Sequence, residues 1–455
     1  MADVTEGLCA LLARPVAPEV RERALRHLLD WVGCVAVGAG EPAGRAFGRY
    51  AGAQPAGPCT VFGAGARDAS TAALANGALG NILEMDDVHR TSIVHAGDVV
   101  IPAALAAGER DGASGAALLD ALVRGYEAAI RIGTAAGSGH YRYWYNTATC
   151  GVFGAAAAVA AVHGLNGSRL ADALGLAGMQ ASGLWQCRLE PGFAKQLAAG
   201  RAAQSGLIAA DLAAGGFPAP HAMIEGELGF LSATAPGADP RAVAAQPDAA
   251  WRIFDTSFKP WPACRHAHPV IELGLALRDG LVPQAVERAE ITTYRTAVDF
   301  CDDPRPDTAH RGRFSLQHCF AVALVRGVPW LEHFAREALD DPEIAGLRRR
   351  ISVTACDHMT RAFPHRYPAR AVVVLAGGGV REAQVVTARG DPENPMTEAE
   401  MDEKFVRAME AAGCPRSAAE ACKRAVESLP GADSLAQLST ALDVGRSVLA
   451  EGGHR

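Results

Sequence analysis

Gly151-Val-Phe-Gly-Ala-Ala-Ala-Ala-Val-Ala-Ala-Val-His163 is the stretch that decides the fold. Nearly all of its side chains are small, and it carries no charge before His163. Because short side chains let neighbouring helices approach closely, a helix of this kind is normally central. We therefore expect a helical domain built around residues 151–163.

Further helical patterns lie on both sides of this stretch and share apolar residues at helical spacing. Pro18 stands in the first turn of one, and Ser70 is a plausible N-cap of another. The expected helices start near residues 18, 70, 114, 169 and 194. No persuasive strand occurs in the first 260 residues or so, and we predict an all-helical domain over residues 1–262.

The pattern changes after Trp251. Short β-like runs cover residues 288–298, 351–356, 371–375 and 380–386, and helical patterns lie between them. Gly377-Gly-Gly379 indicates a hairpin turn between the last two runs. We predict a smaller α+β lid domain over residues 263–394 with a short antiparallel sheet. Helices over residues 395–455 are expected to pack back on the helical domain, which gives a mainly α protein.

Composition limits the classes of function. The chain has 455 residues, of which 49% are hydrophobic and 20% charged, as in well-packed globular proteins. A net charge of −7 and the absence of a Lys/Arg run of useful length disfavour a nucleic-acid partner. The longest apolar run is too short for a membrane span, and the acidic start has no secretory pattern. Eleven cysteines without a C-x-x-C pair indicate free thiols, so we expect a cytoplasmic protein.

The chain concentrates its chemistry between Asn76 and His95. Apolar segments flank the group, and buried carboxylates and imidazoles must be paired, hydrogen-bonded or used in chemistry. If the preceding helix continued, Asp86 and His89 would share one of its faces. Three interpretations stay open: an acid–base or substrate-binding cluster, a divalent metal site, and a solvated helix end. The titratable residues concerned are Glu84, Asp86, Asp87, His89 and His95.

Lys195 is the second candidate. It stands at the start of the small-residue helix after a Pro-Gly pair, where a cation opposes the helix dipole and calls for an anion. A substrate carboxylate would supply one, although a lysine extended along the surface is the usual alternative.

A third group is basic and lies at the proposed domain junction, where clefts often form. Lys259, Arg265, His266 and His268 belong to it, and a structural role for the two histidines is equally open. His318 stands at the start of a buried-looking helix. Glycine-rich phosphate loops and dinucleotide fingerprints are missing, which argues against nucleotide cofactors.

Read together, the segments resemble the MmgE/PrpD family over essentially the whole chain. The order and spacing of many short motifs carry this resemblance. They include Leu83-Glu-Met-Asp-Asp-Val-His89, His95-Ala-Gly97, Tyr145-Asn-Thr-Ala-Thr-Cys-Gly151, Lys195 with Gly200-Arg-Ala-Ala-Gln-Ser-Gly206, Pro262-Ala-Cys-Arg-His-Ala-His-Pro269, Arg313-Phe-Ser-Leu-Gln317 and Gly390-Asp-Pro-Glu-Asn-Pro395.

The resemblance implies a helical domain with an α+β lid, usually as a homodimer, without a metal or organic cofactor. It also implies proton transfer beside a carboxylate of a small di- or tricarboxylate, as in 2-methylcitrate dehydratase, cis-aconitate decarboxylase and iminodisuccinate epimerase. By position it assigns catalytic roles to Asp86, His95, Lys195, His268 and His318. Substrate-binding roles fall to Glu84, Asp87, Tyr145, Arg265 and His266.

This chain departs from the family pattern at several of these positions. Glu84 replaces an aspartate, Val88 a threonine, and Tyr145 a histidine. Ala198 stands where a histidine often follows the lysine, and His318 replaces a tyrosine. These exchanges suggest that acid–base roles are redistributed.

The leading hypothesis is a cofactor-independent lyase or isomerase, similar to 2-methylcitrate dehydratase. A decarboxylase or epimerase is the alternative within the family. Two further hypotheses are a metal-dependent enzyme that uses Asp86, Asp87, His89 and His95, and a non-catalytic ligand-binding protein.

Overall fold

A computed structural model describes residues 4–190 and 192–451, with only the backbone for residues 444–451. Residues 1–3 of the acidic start and Pro191 of the Pro-Gly pair lie outside the described residues. The chain forms two compact units. Of the described residues, the helical unit contains 4–82, 86–190, 192–256 and 399–451, and the α+β unit contains 83–85 and 257–398.

The helical unit is built around the helix Gly151–Val162, which is buried from residue 151 to residue 160. A side chain at Gly154 would place its Cβ 2.6 Å from the Ala129 Cβ and 2.6 Å from the Gly125 carbonyl oxygen. This contact requires glycine and explains how the helix Gly151–Val162 comes so close to the helix Gly115–Tyr141. The α-helices around it are Val4–Leu12, Pro18–Gly40, Pro42–Gly52, Ala69–Leu79, Gly97–Asp111, Gly115–Tyr141, Asn146–Thr149, Gly167–Gly178, Gln186–Leu189, Ala194–Ala214 and Phe230–Thr234.

The C-terminal helices Glu398–Ala411, Arg416–Glu427 and Ala436–Glu451 belong largely to the same unit. Phe405 packs on the Pro18–Gly40 helix at Gly33, where an added Cβ would lie 3.3 Å from the ring. Lys404 and Asp30 form a buried ion pair with 2.5 Å between Nζ and Oδ1. The tail is therefore held by both apolar packing and charge.

Four details of the first 260 residues differ from the prediction. Short strands occur at Ala56–Cys59, Val88–His89 and Thr256–Ser257. The N-cap of the helix Ala69–Leu79 is Asp68, whose carboxylate accepts from the Thr71 N–H, rather than Ser70.

The α+β unit holds a four-stranded sheet, ordered Ile351–Ala355, Val286–Thr293, Ala369–Leu375 and Val380–Val385. The strand Ala369–Leu375 pairs antiparallel with both Val286–Thr293 and Val380–Val385. Its pairing with Val380–Val385 is the predicted hairpin. The first pair is parallel, so the prediction of an antiparallel sheet was wrong there. Long helical connections allow parallel pairing, which a tight turn cannot. The helices are His268–Leu277, Arg295–Cys301, Ala309–Arg313, Leu316–Val325, Arg336–Leu339, Pro342–Arg348 and Asp357–Ala362.

The run predicted as a strand over residues 288–298 ends as a strand at Thr293. Its last residues begin the helix Arg295–Cys301, in which Ala297 and Cys301 are buried at helical spacing. All eleven cysteines lie in the described part of the chain and are free thiols. Within the described residues, no helix has the length and hydropathy of a membrane span.

Candidate functional site

The acidic stretch is buried, but it is not helical. The helix before it ends at Leu79, and turns follow until the strand Val88–His89. Glu84 has a φ of 56°, a left-handed backbone conformation that interrupts an α-helix. The expectation that Asp86 and His89 share a helix face was therefore wrong.

Asp86 and His95 form a buried dyad. The Asp86 Oδ2 atom lies at short hydrogen-bond distance from His95 Nδ1, and the two residues are 1% and 8% exposed. The backbone N–H of His95 donates to Thr147 Oγ1 at 3.0 Å. With Nδ1–H held by the carboxylate, His95 keeps Nε2 for another partner.

Asp98 joins this dyad from the first turn of the helix Gly97–Asp111. It is fully buried, and Asp86, His95 and Asp98 each offer one donor atom within 4.8 Å of the others. A Cβ on Gly80 would lie 2.0 Å from Asp98 Oδ1, so glycine is needed there for Asp98 to keep its place. Oxygen and imidazole donors at this spacing can serve either proton transfer or a divalent cation.

Asp87 faces a different set of partners. Its Oδ2 accepts from His27 Nδ1 at 2.6 Å and from the Tyr126 hydroxyl at 2.6 Å. Its Oδ1 accepts from the Gly97 N–H at 3.1 Å. Burial pushes the pKa of Asp87 up, but these donors outweigh it and leave the pKa below its ordinary value.

His27 is neutral in this arrangement. Burial, with a further contribution from the nearby Arg23 charge, lowers the pKa of His27 to about 4. We therefore describe the contact as a neutral imidazole that donates Nδ1–H to the Asp87 carboxylate. Asp87 is fixed by three protein donors and does not belong to the group formed by Asp86, His95 and Asp98.

His89 is also separate from that group. Its Nδ1 lies 2.9 Å from Ser92 Oγ, and burial lowers its pKa to about 3. Of the four residues considered for a metal site, Asp86 and His95 come together with Asp98, whereas Asp87 and His89 take other partners.

Lys195 and Tyr145 lie near each other in the helical unit. The Lys195 ammonium is 5.8 Å from the centre of the Tyr145 ring, close enough for a cation–π contact. Lys195 is half-buried in the first turn of the helix Ala194–Ala214, which starts where the sequence predicted. Tyr145 precedes the short helix Asn146–Thr149, which contains the Thr147 hydroxyl that fixes His95. A single short segment therefore contacts both Lys195 and His95.

The α+β unit contains a second buried charge pair. Lys259 Nζ lies 3.4 Å from Glu84 Oε2, and the two side chains are 0% and 2% exposed. Lys259 is therefore a buried partner of Glu84. The left-handed backbone at Glu84 is part of the conformation in which this pair forms.

The basic segment after Lys259 is also buried. Arg265 pairs with Asp391 and donates to the Arg389 carbonyl at 3.1 Å. His266 Nδ1 lies 2.6 Å from the Tyr294 hydroxyl, within a group of aromatic rings. His268 Nε2 donates to the Ala263 carbonyl at 3.0 Å.

His318 uses both ring nitrogens inside the α+β unit. Nε2–H donates to the His333 carbonyl at 2.8 Å, and Nδ1 accepts from Arg348 Nη1 at 3.1 Å. Burial is the largest of the effects that lower its pKa to about 4. A neutral ring with both nitrogens engaged is poorly suited to carry a proton.

Sequence reasoning missed several of these partners. Asp98 had a usable signal, because it is a carboxylate followed directly by the uncharged run of residues 99–108 in the same helix. His27 and Tyr126 had none, since both lie on long helices among residues that pack the core.

Two family models match the chain. The MmgE/PrpD N-terminal domain matches residues 5–243, and the MmgE/PrpD C-terminal domain matches residues 261–429. The chain belongs to the MmgE/PrpD family. Proteins similar to it include a cis-aconitate decarboxylase-like protein, oryM, of Aspergillus oryzae, 30% identical over 441 residues, with 89% of this chain and 90% of the relative covered.

A cis-aconitate decarboxylase of Aspergillus terreus is 29% identical over 382 residues, with 77% of this chain and 78% of the relative covered. These matches support an enzyme of the MmgE/PrpD type with a lyase role at the level of the family.

Proposed function

We propose that this protein is a lyase that uses His95 to transfer a proton at a carbon next to a carboxylate of a small di- or tricarboxylate. The observation that carries the proposal is the buried Asp86–His95 dyad. An imidazole oriented by a carboxylate and fixed through its own backbone is well suited to acid–base chemistry.

Each partner of His95 has a definite part in this proposal. Asp86 holds Nδ1–H, which fixes the tautomer and stabilises the imidazolium while the ring carries a second proton. Thr147 fixes the backbone of His95 through the 3.0 Å hydrogen bond. The Nε2 atom is then the position at which a proton is exchanged with the substrate.

Lys195 supplies positive charge for a substrate carboxylate. It is half-buried, so its charge is screened less than that of an exposed lysine. The Tyr145 ring beside it limits where the ammonium can lie. The proposed clamp stabilises negative charge that grows on the substrate during the reaction.

Among lyase reactions we favour decarboxylation of a cis-aconitate-type acid, because both relatives described above carry that name or a name derived from it. The bond between carbon and one carboxylate breaks, carbon dioxide leaves, and the electron pair stays on the substrate. Protonated His95 then gives its proton to carbon and is reprotonated from solvent. Dehydration and epimerisation at the same acidic carbon are the alternatives.

We assign structural roles to four other candidates. Asp87, His266, His268 and His318 each hydrogen-bond to protein groups within their own unit, and these bonds match their burial. In this proposal they hold neighbouring protein groups in place and do not touch the substrate.

The test is incubation of the purified protein with cis-aconitate, citrate, 2-methylcitrate and iminodisuccinate in deuterium oxide. Released carbon dioxide, water loss and deuterium at carbon are followed by NMR. We expect decarboxylation with deuterium incorporation, and a loss of about 100-fold or more in kcat for His95→Asn and Asp86→Asn. Lys195→Met should mainly raise KM if Lys195 binds the carboxylate equally in the ground and transition states.

Two controls complete this test. His221→Asn changes a histidine that is 44% exposed, and Lys423→Met changes a half-buried lysine that pairs with Asp402. Both should retain activity. Unchanged kcat in His95→Asn would contradict the proposed role of the dyad, and absence of turnover with every substrate would favour a non-catalytic ligand-binding protein.

The donor atoms of Asp86, His95 and Asp98 also suit one divalent cation, which gives a second candidate function. Elemental analysis of protein purified without chelator decides between the two. Stoichiometric metal that is lost in Asp98→Asn, together with activity lost on chelation and restored by metal, would replace the proton-transfer proposal with metal-assisted chemistry.

We also propose that the protein forms a homodimer. Large apolar side chains are unusually exposed between residues 184 and 197, with Leu184 at 64%, Leu189 at 70% and Leu197 at 45%. Such groups commonly mark an interface. Sedimentation equilibrium should give a dimer for the wild type and a monomer for Leu189→Glu/Leu197→Glu, whereas a monomeric wild type would contradict the proposal.

A further inference from the structure

A recess in the helical unit lies apart from the residues discussed so far. Its volume is about 180 Å³, and its walls come from four helices and the loop before the helix Gly167–Gly178. Asp86, His95 and Lys195 do not line it. Six of its nine lining residues are leucine or alanine, namely Leu12, Ala13, Ala157, Ala161, Leu165 and Leu170, and the other three are Arg124, Gly164 and Asn166.

Arg124 is the only charged residue in this lining. It is partly buried, and its Nε atom is inaccessible to solvent and has no hydrogen-bond partner. None of the side chains that the structure describes forms an ion pair with it. A buried N–H group without an acceptor is unusual, because leaving a buried donor unsatisfied costs free energy.

The carboxylates near Arg124 on the same helix have other partners. Asp120, one turn earlier, binds Arg21 through contacts of 2.6 and 3.0 Å. Glu127, about one turn later, binds Arg131 at 2.6 Å and accepts from the Arg252 N–H at 2.6 Å. Neither Asp120 nor Glu127 therefore pairs with Arg124.

We propose that this recess is a second ligand site, which binds a small monocarboxylate with an apolar body. The single guanidinium matches one carboxylate through two parallel hydrogen bonds. The aliphatic walls match an apolar group, and an engineered protein cavity of about 150 Å³ accommodates benzene. A polycarboxylate fits poorly, since its second charge would face leucine and alanine.

Benzoate is the probe for this site, and the full-length protein is titrated by calorimetry. Benzoate should bind with millimolar affinity, and benzamide, which has the same shape without the charge, should bind about tenfold more weakly. Arg124→Gln should weaken benzoate binding by about tenfold or more. Arg241→Gln is the matched control, because Arg241 is highly exposed and pairs with Asp239.

A second variant keeps the proposal testable if Arg124→Gln destabilises the protein. Ala161→Phe fills the recess from a partly exposed position and retains Arg124, and it should abolish binding while leaving turnover unchanged. Benzoate binding that persists in Ala161→Phe but disappears in Lys195→Met would place the benzoate at the proposed catalytic site and overturn the inference. Equal affinity for benzoate and benzamide, or no binding to the wild type, would also overturn it.

Discussion

Tyr126 gives a quantitative test of the hydrogen bonds around Asp87. Its side chain is fully buried, and its hydroxyl donates to Asp87 Oδ2 at 2.6 Å. Tyr126→Phe removes this one donor and leaves those of His27 and Gly97 in place. The buried carboxylate then has two donors instead of three.

A hydrogen bond to a charged group contributes about 1.5–3 kcal/mol, and we expect Tyr126→Phe to lower the free energy of unfolding by about 2 kcal/mol. The unfolding entropy is about 2.1 cal/mol/K per residue, which corresponds to a fall of about 2 °C in Tm for a chain of this size. Differential scanning calorimetry measures the shift. Tyr143→Phe is the control, because Tyr143 is 60% exposed.

The pH dependence of the stability difference between the wild type and Tyr126→Phe gives a second check. Since the donors hold the pKa of Asp87 below its ordinary value, their contribution is present above about pH 4 and is lost as pH falls through the folded-state pKa. The difference in Tm between the wild type and Tyr126→Phe should therefore become smaller in acid. Equal Tm values for Tyr126→Phe and Tyr143→Phe at pH 7 would refute the reasoning.

Three further predictions concern other buried groups. Gly80→Ala places a Cβ 2.0 Å from Asp98 Oδ1, so we expect about 1–3 kcal/mol of destabilisation by calorimetry and reduced turnover; normal values of both would contradict the contact. The pKa of His318 is lowered to about 4, so up to about 3 kcal/mol of stability is present above pH 6.5 and lost as pH falls towards 4. His318→Gln should reduce the slope of the free energy of unfolding against pH between pH 6.5 and 4. An unchanged slope would argue against this role of His318. Lys259→Met leaves Glu84 buried without its cation and should cost about 3–5 kcal/mol in denaturant unfolding, whereas Lys259→Met/Glu84→Gln should recover part of the loss. Equal stability of the single and double variants would show that the pair is not coupled.

The helical unit could be predicted from the sequence because its signals are local. Alanine and glycine at residues 151–162 indicated a central helix, and the helix starts near residues 114 and 194 followed from similar patterns. The parallel strand pair could not be predicted this way, since strand pairing depends on residues far apart in the chain.

The candidate site was predictable only in part. The sequence grouped Asp86 with His95 because they are close in the chain, but it grouped Asp87 with them for the same reason. The left-handed backbone at Glu84 changes the direction of the chain there, and periodicity gives no sign of it. Asp87 binds His27 from 60 positions away, a contact that only the fold creates.

The assignment of Leu83–Met85 to the α+β unit has a consequence for how the protein can be divided. A fragment of residues 257–398 would contain the sheet and its helices but would lack Glu84. Lys259, whose side chain is 0% exposed, would then lack the carboxylate with which it forms an ion pair. A buried cation without this partner would destabilise the fragment. The unit is therefore not a module that can be cut out or exchanged at its two obvious boundaries, because three residues from a distant part of the chain complete it.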